Sequence, residues 1–233
     1  MIPIGVVTCE NRNEYLPTVL GGLKCSLSPD YPPVHVYCDG KANNLPENDW
    51  GFRVHETETW QGSWWNHSRA FWRTLWAHPD TDAVIVVEDD ILFKPDWYEK
   101  IVEAYNENDH RTLGGISGYV GKTQGRYHER EGLYPRWRGK TVGALCWLMT
   151  RRLYKAAPLF WETMPKGQNS AYDLRVQTMM ELRRLEFRVM RPGIVQHIGK
   201  TSLCHPRASG KAGRVDGSVE PPYAGDYNVA DYR

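Results

Sequence analysis

Residues Ala83-Val84-Ile85-Val86-Val87 form an apolar, mostly β-branched run that leads directly into Glu88-Asp89-Asp90. Such a run reads as a strand buried on both faces. Three adjacent carboxylates repel one another and lose solvation when buried, so a fold that sets them at a strand end has reason to hold a cation there. In open α/β sheets the strand ends are where ligands sit. Hard oxygen ligands at such a place favour Mg²⁺ or Mn²⁺, which keep coordination positions for phosphate oxygens. The competing reading is a solvated acidic turn, because Pro95-Asp96 follows and the first turn of a helix welcomes Asp and Glu. The triplet alone leaves both readings open.

The order of elements supports the first. A strand over 4–8 precedes a helix over 14–23, with Asn13 as a candidate cap and Pro17 tolerated in the early turns. Strand 34–37 ends at the turn signal Asp39-Gly40, and a short strand is expected over 52–55. Ser63 is placed to cap a helix over 64–76 that sets Trp65, Trp72, Leu75 and Trp76 on one face. Strand 83–87 and helix 96–105 complete a βαβα order, which implies a mostly parallel sheet with helices on both faces. Beyond 113–119 the pattern loosens. Residues 121–140, rich in Gly, Arg and aromatics, read as a mobile surface loop. Order returns at 142–149, in a helix over 171–184, and in short strands over 187–190 and 193–197. One α/β domain over residues 1–208 is expected, with a nucleotide-binding half (1–110), an acceptor half (111–208) and an irregular tail over 209–233.

Composition excludes more than it selects. A length of 233 residues suits one large domain, and a formal net charge of +1 gives no whole-chain signature of a nucleic-acid or membrane partner. Five scattered cysteines argue against a disulfide framework and mildly for a reducing compartment. No apolar run is long enough to span a bilayer and no secretory leader opens the chain, so a cytoplasmic location is the default expectation. Ten tryptophans and 13 tyrosines supply flat faces suited to sugars or bases as well as to a core.

Further candidates lie at the other strand ends. Thr8-Cys9-Glu10-Asn11-Arg12 ends the first strand and Cys38-Asp39-Gly40 the second, on the sheet edge expected to carry Glu88–Asp90. There Asp39 suits a base N–H and Arg12 a base or phosphate, although Asp-Gly is also plain turn chemistry. The first βα turn has neither G-x-G-x-x-G nor a P-loop lysine, which disfavours dehydrogenase and P-loop NTPase folds. His67 and Arg69, on the polar side of the aromatic helix, suit a diphosphate or sugar, or simply an exposed helical face. Ser170-Ala171-Tyr172-Asp173 fits a capping box, and as a catalyst Asp173 would be a general base kept ionised by the helix terminus. His197 suits the metal shell beside Asp90, with His205 as a competitor, and imidazole favours Mn²⁺ over Mg²⁺.

Taken together these residues resemble a GT-A-type glycosyltransferase, most closely the N-acetylglucosaminyltransferase I group. The likeness is carried by Val86-Val87-Glu88-Asp89-Asp90-Ile91 with Pro95-Asp96, and by His67-Ser68-Arg69 as an H-x-R element. Gly143-Ala144-Leu145-Cys146-Trp147-Leu148 resembles an acceptor-side G-x-x-W segment, and Tyr172-Asp173 the acidic base. The resemblance covers most of residues 2–200. It implies Asp90 as direct metal ligand, Glu88 and Asp89 towards ribose and sugar, Asp39 at the base, Trp147 at the acceptor and Asp173 as catalytic base. The segment around His197 is more like other GT-A enzymes, whose late histidine binds the metal.

The resulting expectation is a Mn²⁺- or Mg²⁺-dependent inverting enzyme. It would move a sugar from a nucleoside diphosphate, UDP by resemblance, to a hydroxyl of a glycan, protein, lipid or hydroxymethylated DNA base. Thr8, Arg12, Asp39, His67, Arg69, Glu88 and Asp89 would hold the donor. The 121–140 loop would close over it, and the basic stretch Arg126, Arg130, Arg136, Arg138 and Lys140, interleaved with Tyr and Trp, suits a polyanion or, more simply in a chain of near-neutral charge, a solvated surface. Two other classes share these residues: a metal-dependent nucleotidyltransferase or phosphohydrolase, and a non-catalytic glycan- or nucleotide-binding module. The first needs a second acidic cluster that the chain does not offer.

Overall fold

The computed structural model describes residues 1–10, 13–27, 32–119, 132–135, 143–167 and 172–198. The first half runs β1 (Ile4–Cys9), a 3₁₀ turn (Asn13–Tyr15), α1 (Leu16–Ser26), β2 (Val34–Asp39), β3 (Arg53–His55), α2 (Ser63–Ala77), β4 (Ala83–Glu88), β5 (Ile91–Phe93) and α3 (Trp97–Asn106). The second half holds β6 (Leu113–Ser117), β7 (Gly132–Pro135), β8 (Cys146–Thr150), α4 (Arg151–Ala156), α5 (Pro158–Glu162), α6 (Tyr172–Leu182), β9 (Glu186–Arg191) and β10 (Val195–His197).

Eight strands make one sheet in the order β3-β2-β1-β4-β8-β6-β9-β7, and β10 pairs with β5 in a small second sheet. The α/β class and the helices on both faces are as expected from the sequence. β3, β2, β1 and β4 are parallel neighbours, as are β6 and β9, while β8 runs antiparallel to both β4 and β6. The parallel half follows from β1, β2 and β4 being mostly apolar and buried along almost their whole length, which only a sheet covered on both faces accommodates. On one face Ile4, Val6, Val36, Ile85 and Val87 pack with Leu20, Leu23, Trp97 and Ile101 of α1 and α3. On the other, Val7, Tyr37, Val84 and Val86 pack with Phe71 and Leu75 of α2 and Val176 of α6.

Several local expectations change. Residues 13–15 form a 3₁₀ turn before α1, whose cap position is Tyr15 without a side-chain cap bond, so Asn13 is not the cap. Ser63 is the first residue of α2. The cap position belongs to Gly62 at φ 105°, a conformation that favours glycine. The face of α2 that enters the core carries Trp64, Phe71 and Leu75, whereas Trp76 is 59% exposed and Trp65 and Trp72 are only half-buried. β7 lies inside the segment read as loop. The rest of residues 121–140, with its basic stretch, lies outside the described residues, as do Arg12, Ser170, His205 and the tail beyond 198. Among the described residues no helix is long and apolar enough to cross a membrane.

Candidate active site

The carboxyl ends of β1, β2 and β4 lie side by side, with Cys9 opposite Asp39 and Val7 opposite Glu88. This register brings Thr8, Asp39 and the Glu88-Asp89-Asp90 triplet to one sheet edge. Asn66, in the second turn of α2 and 1% exposed, ties the edge together. Its side-chain amide donates to the carbonyls of Thr8 and Tyr37, each at 2.9 Å. Local sequence places Asn66 on the polar side of α2 but does not reveal this role, because its partners lie 58 and 29 positions away.

Each acid of the triplet has a different partner. Glu88 Oε1 is 3.1 Å from His67 Nε2, and its side chain is 25% exposed. Asp89, 5% exposed, accepts a hydrogen bond from Thr8 Oγ1 at 2.5 Å. Asp90, 1% exposed, has its Oδ2 3.0 Å from His197 Nε2. Three contiguous carboxylates are thus separated onto three supports, which removes much of the mutual repulsion that a bare triplet would carry. Two of those supports are imidazoles. Burial opposes the charged form of His67, but hydrogen bonding to Glu88 and its charge, with the Ser63 carbonyl and Asp89 adding, raise the pKa. His67 Nδ1 sits 3.0 Å from the Ser63 carbonyl and Nε2 3.1 Å from the Glu88 carboxylate, so both ring nitrogens face acceptors, an arrangement that suits the doubly protonated ring favoured by the raised pKa.

Asp39 serves the fold in a way local motifs do not reveal. Its Oδ1 accepts from the Gln61 amide and its Oδ2 from the Gly62 amide, both at 2.7 Å, and it is 1% exposed. The carboxylate expected at a base N–H is therefore anchored to the loop that starts α2. The residues Asn66-His67-Ser68-Arg69, read as a polar face of α2, are all buried. Arg69 donates to the Glu56 carbonyl at 3.2 Å and lies over the Tyr37 ring at 5.4 Å and the Trp65 ring at 5.2 Å. Burial, with the Arg73 guanidinium, lowers its pKa.

The amino end of α6 reaches the same edge through Tyr172. That ring stands 5.0 Å from the His67 ring and 6.0 Å from Trp147, so a single aromatic connects α2, β8 and the start of α6. Tyr172 is 6% exposed, and burial, its largest cause, raises the hydroxyl pKa. Its neighbour Asp173 is half-buried and accepts from the Leu174 amide at 3.0 Å. Trp147, expected at the acceptor, is 1% exposed and packs edge-on against Phe187 at 5.1 Å, as part of the core beneath the site. The sequence pointed to Asp173 through a capping motif. It gave no sign that Tyr172 would carry that residue to His67.

No family model matches the chain, and no curated protein matches it in sequence. Solved structures do. S. aureus TarS, residues 1–349, superposes with a TM-score of 0.58 at 16% identity, covering 82% of this chain and 58% of that one. TarS in complex with UDP-GlcNAc gives 0.55 at 15% identity over 82% of this chain and 56% of that one. A mycobacterial protein gives 0.54 at 15% identity over 90% and 72%. This chain thus spans less than two thirds of the TarS fragment it matches. The likeness singles out no N-acetylglucosaminyltransferase I group, and at such low identity it is one of fold: the chain has the GT-A-like architecture that the resemblance in its motifs implied.

Proposed function

We propose that this chain is a glycosyltransferase that takes its sugar from a nucleoside diphosphate, with UDP as the favoured base carrier. The observation that carries the reading is the strand-end triplet. Glu88, Asp89 and Asp90 rest on His67, Thr8 and His197, and Tyr172 brings the Asp173 helix end to His67. A neighbour of the same fold binding UDP-GlcNAc supports the donor class.

Asp90 and His197 are the residues that would hold Mn²⁺ or Mg²⁺. Among the described residues no group of three or more His, Cys, Asp or Glu is arranged for a metal. A carboxylate and an imidazole in contact still suit a divalent ion whose remaining positions go to diphosphate oxygens. The ion would supply charge to the departing diphosphate. Asp173 takes the proton of the acceptor hydroxyl, whose oxygen attacks the anomeric carbon from the side opposite the nucleotide, so the configuration inverts. Glu88 and Asp89, fixed by His67 and Thr8, orient ribose and sugar hydroxyls. A glycan, a protein or a hydroxymethylated DNA base can present the accepting hydroxyl.

A thermal-shift screen of nucleotide sugars with and without Mn²⁺ tests the reading. Stabilisation by one nucleoside-diphosphate sugar that depends on Mn²⁺ is expected, followed by slow donor hydrolysis releasing the nucleoside diphosphate. Stabilisation by none, or release of a nucleoside monophosphate, would replace sugar transfer with binding alone or with phosphohydrolase chemistry.

A further inference from the structure

The outer side of α2 carries Trp65, Trp72, Arg73 and Trp76, at the three-, four- and seven-residue spacing that lines one side of a helix. Its cations sit on its rings. Arg73 is 5.0 Å from the Trp72 ring and Lys166 5.6 Å from the Trp65 ring, while the buried Arg69 is packed beneath them against Trp65 and Tyr37. Trp72 and Trp76 meet edge to face at 5.4 Å. Among the described residues none of Arg69, Arg73, Lys166 or the adjacent Arg53 of β3 pairs with a carboxylate. Acids are not scarce, since the chain has 28 against 29 Lys and Arg. Glu56 beside Arg69 is engaged by Lys41 and the Ala42 amide. Arg69, 4% exposed, lies beneath this surface, so Arg73, Lys166 and Arg53 are the cations that face outward.

An unneutralised cationic stripe interleaved with half-exposed and exposed indoles is complementary to a chain of phosphates bearing flat aromatic groups. Cations track the backbone of a single strand, and rings stack on its bases irrespective of sequence. Acidic polysaccharides and polyphosphate would engage the same cations but offer no base for the indoles. From these contacts we propose that the outer face of α2, with Arg53 and Lys166 at its margins, is a docking lane for single-stranded nucleic acid. The lane begins at the candidate site, since Asn66 near its start holds the Thr8 carbonyl. It then leads away along α2 for about 16 Å, the rise of eleven helical residues. The inference stands apart from the sugar-transfer reading, because nothing in it involves Asp90, Asp173 or a donor.

Fluorescence anisotropy of a labelled oligo-dT with the full chain tests it, with UDP affinity measured in parallel. Binding should weaken roughly 20-fold between about 50 and 200 mM salt, as three neutralised phosphates on a single strand require. Arg73→Glu and Trp76→Ala, both at exposed positions, should each lower oligo-dT affinity at least about fivefold and leave the melting temperature and UDP affinity unchanged. Absence of oligo-dT binding overturns the proposal, as does wild-type affinity in both variants. If heparin or polyphosphate binds as tightly and Trp76→Ala changes nothing, the face is a general anion surface and the nucleic-acid assignment falls. Loss of UDP binding in the wild type, with oligo-dT binding intact, would count against sugar transfer alone.

Discussion

His197 Nε2 and Asp90 Oδ2 meet at 3.0 Å although 107 positions separate the two residues. The contact follows from β5 and β10 pairing antiparallel, with His197 opposite Ile91, and from the Ile198 amide donating to the Asp90 carbonyl at 2.8 Å. A carboxylate that is 1% exposed loses most of its hydration, and a neighbouring imidazole offsets part of that loss. The pair therefore has a structural role whether or not an ion sits on it, and any test of metal binding must separate the two roles.

His197→Ala makes that separation. Removing the imidazole leaves the buried Asp90 without this contact, and the apo protein should lose about 1–3 kcal/mol of unfolding free energy. Calorimetry of UDP binding, with and without Mn²⁺, then reads the second role. At least a tenfold loss of the Mn²⁺-dependent component is expected if His197 also serves the ion. Destabilisation with an undiminished Mn²⁺-dependent component would assign His197 to packing alone.

Asn66 makes a different prediction, about the framework. Asn66→Ala removes both donors from the Thr8 and Tyr37 carbonyls at the sheet edge. Each carbonyl left unpaired in a buried place costs about 1–3 kcal/mol, so a loss of about 2–6 kcal/mol in urea unfolding is expected. The urea midpoint should fall with little change in slope, since the unfolded surface is unaltered. A loss under about 0.5 kcal/mol would mean that the strand ends hold their spacing without this clip.

What the sequence discloses and what it hides divide along the range of the interactions involved. β1, β2 and β4 are legible because each is a mostly apolar, largely β-branched stretch bounded by local turn signals. The acid triplet, equally local, was legible too. The cap of α2 was not. Ser63 fits the local motif, but Asp39 takes the two preceding amides across 22 and 23 positions, a contact no local pattern encodes. β5 is not legible because three residues show no periodicity; the ordered stretch over 142–149 covers most of β8, but its antiparallel place between β4 and β6 depends on what it pairs with. The tryptophans of α2 were assigned by spacing alone. Spacing finds a helical face but not whether the sheet or solvent lies against it.

The cluster of His35, His55 and His78 illustrates the same point and predicts a pH dependence. His35, 1% exposed, has its Nδ1 2.9 Å from His55 Nε2 and its Nε2 2.8 Å from His78 Nε2. Burial first, then the charges of His55, His78 and Arg53, push its pKa down to about 4, and burial lowers His55 and His78 as well. The folded state therefore keeps His35 neutral where the unfolded chain, with a pKa near 6.5, already binds a proton. Stability is full above about pH 6.5 and falls as the pH drops towards 4, where the folded state protonates too. Each pKa unit corresponds to roughly 1.4 kcal/mol, so His35 alone accounts for about 3 kcal/mol across this window. Urea unfolding of the wild type and His35→Phe at pH 7.5, 6 and 5 checks it. The wild type should lose stability steadily over that series and the variant should lose distinctly less, whereas parallel losses would place the pH dependence elsewhere.

Asp173 is where a structural and a chemical role compete most directly. It accepts from the Leu174 amide at 3.0 Å in the first turn of α6. Tyr172, wedged against His67 and Trp147, holds this turn beside the Glu88 end of the triplet. Asp173→Asn preserves size and the oxygen that accepts from Leu174, but removes the proton acceptor. A residue that only stabilises the helix end should cost about 1 kcal/mol or less in this variant and leave turnover near normal. A general base should leave the melting temperature and donor affinity intact while turnover falls by roughly 10²–10⁴-fold. If Asp173 is the base, Asp173→Glu should lie between the two, because it restores the charge but displaces it by one methylene. Transfer assays and melting curves on the three proteins read both quantities together. Near-normal transfer by Asp173→Asn would remove the base from the proposed reaction, and with it the reason for expecting inversion.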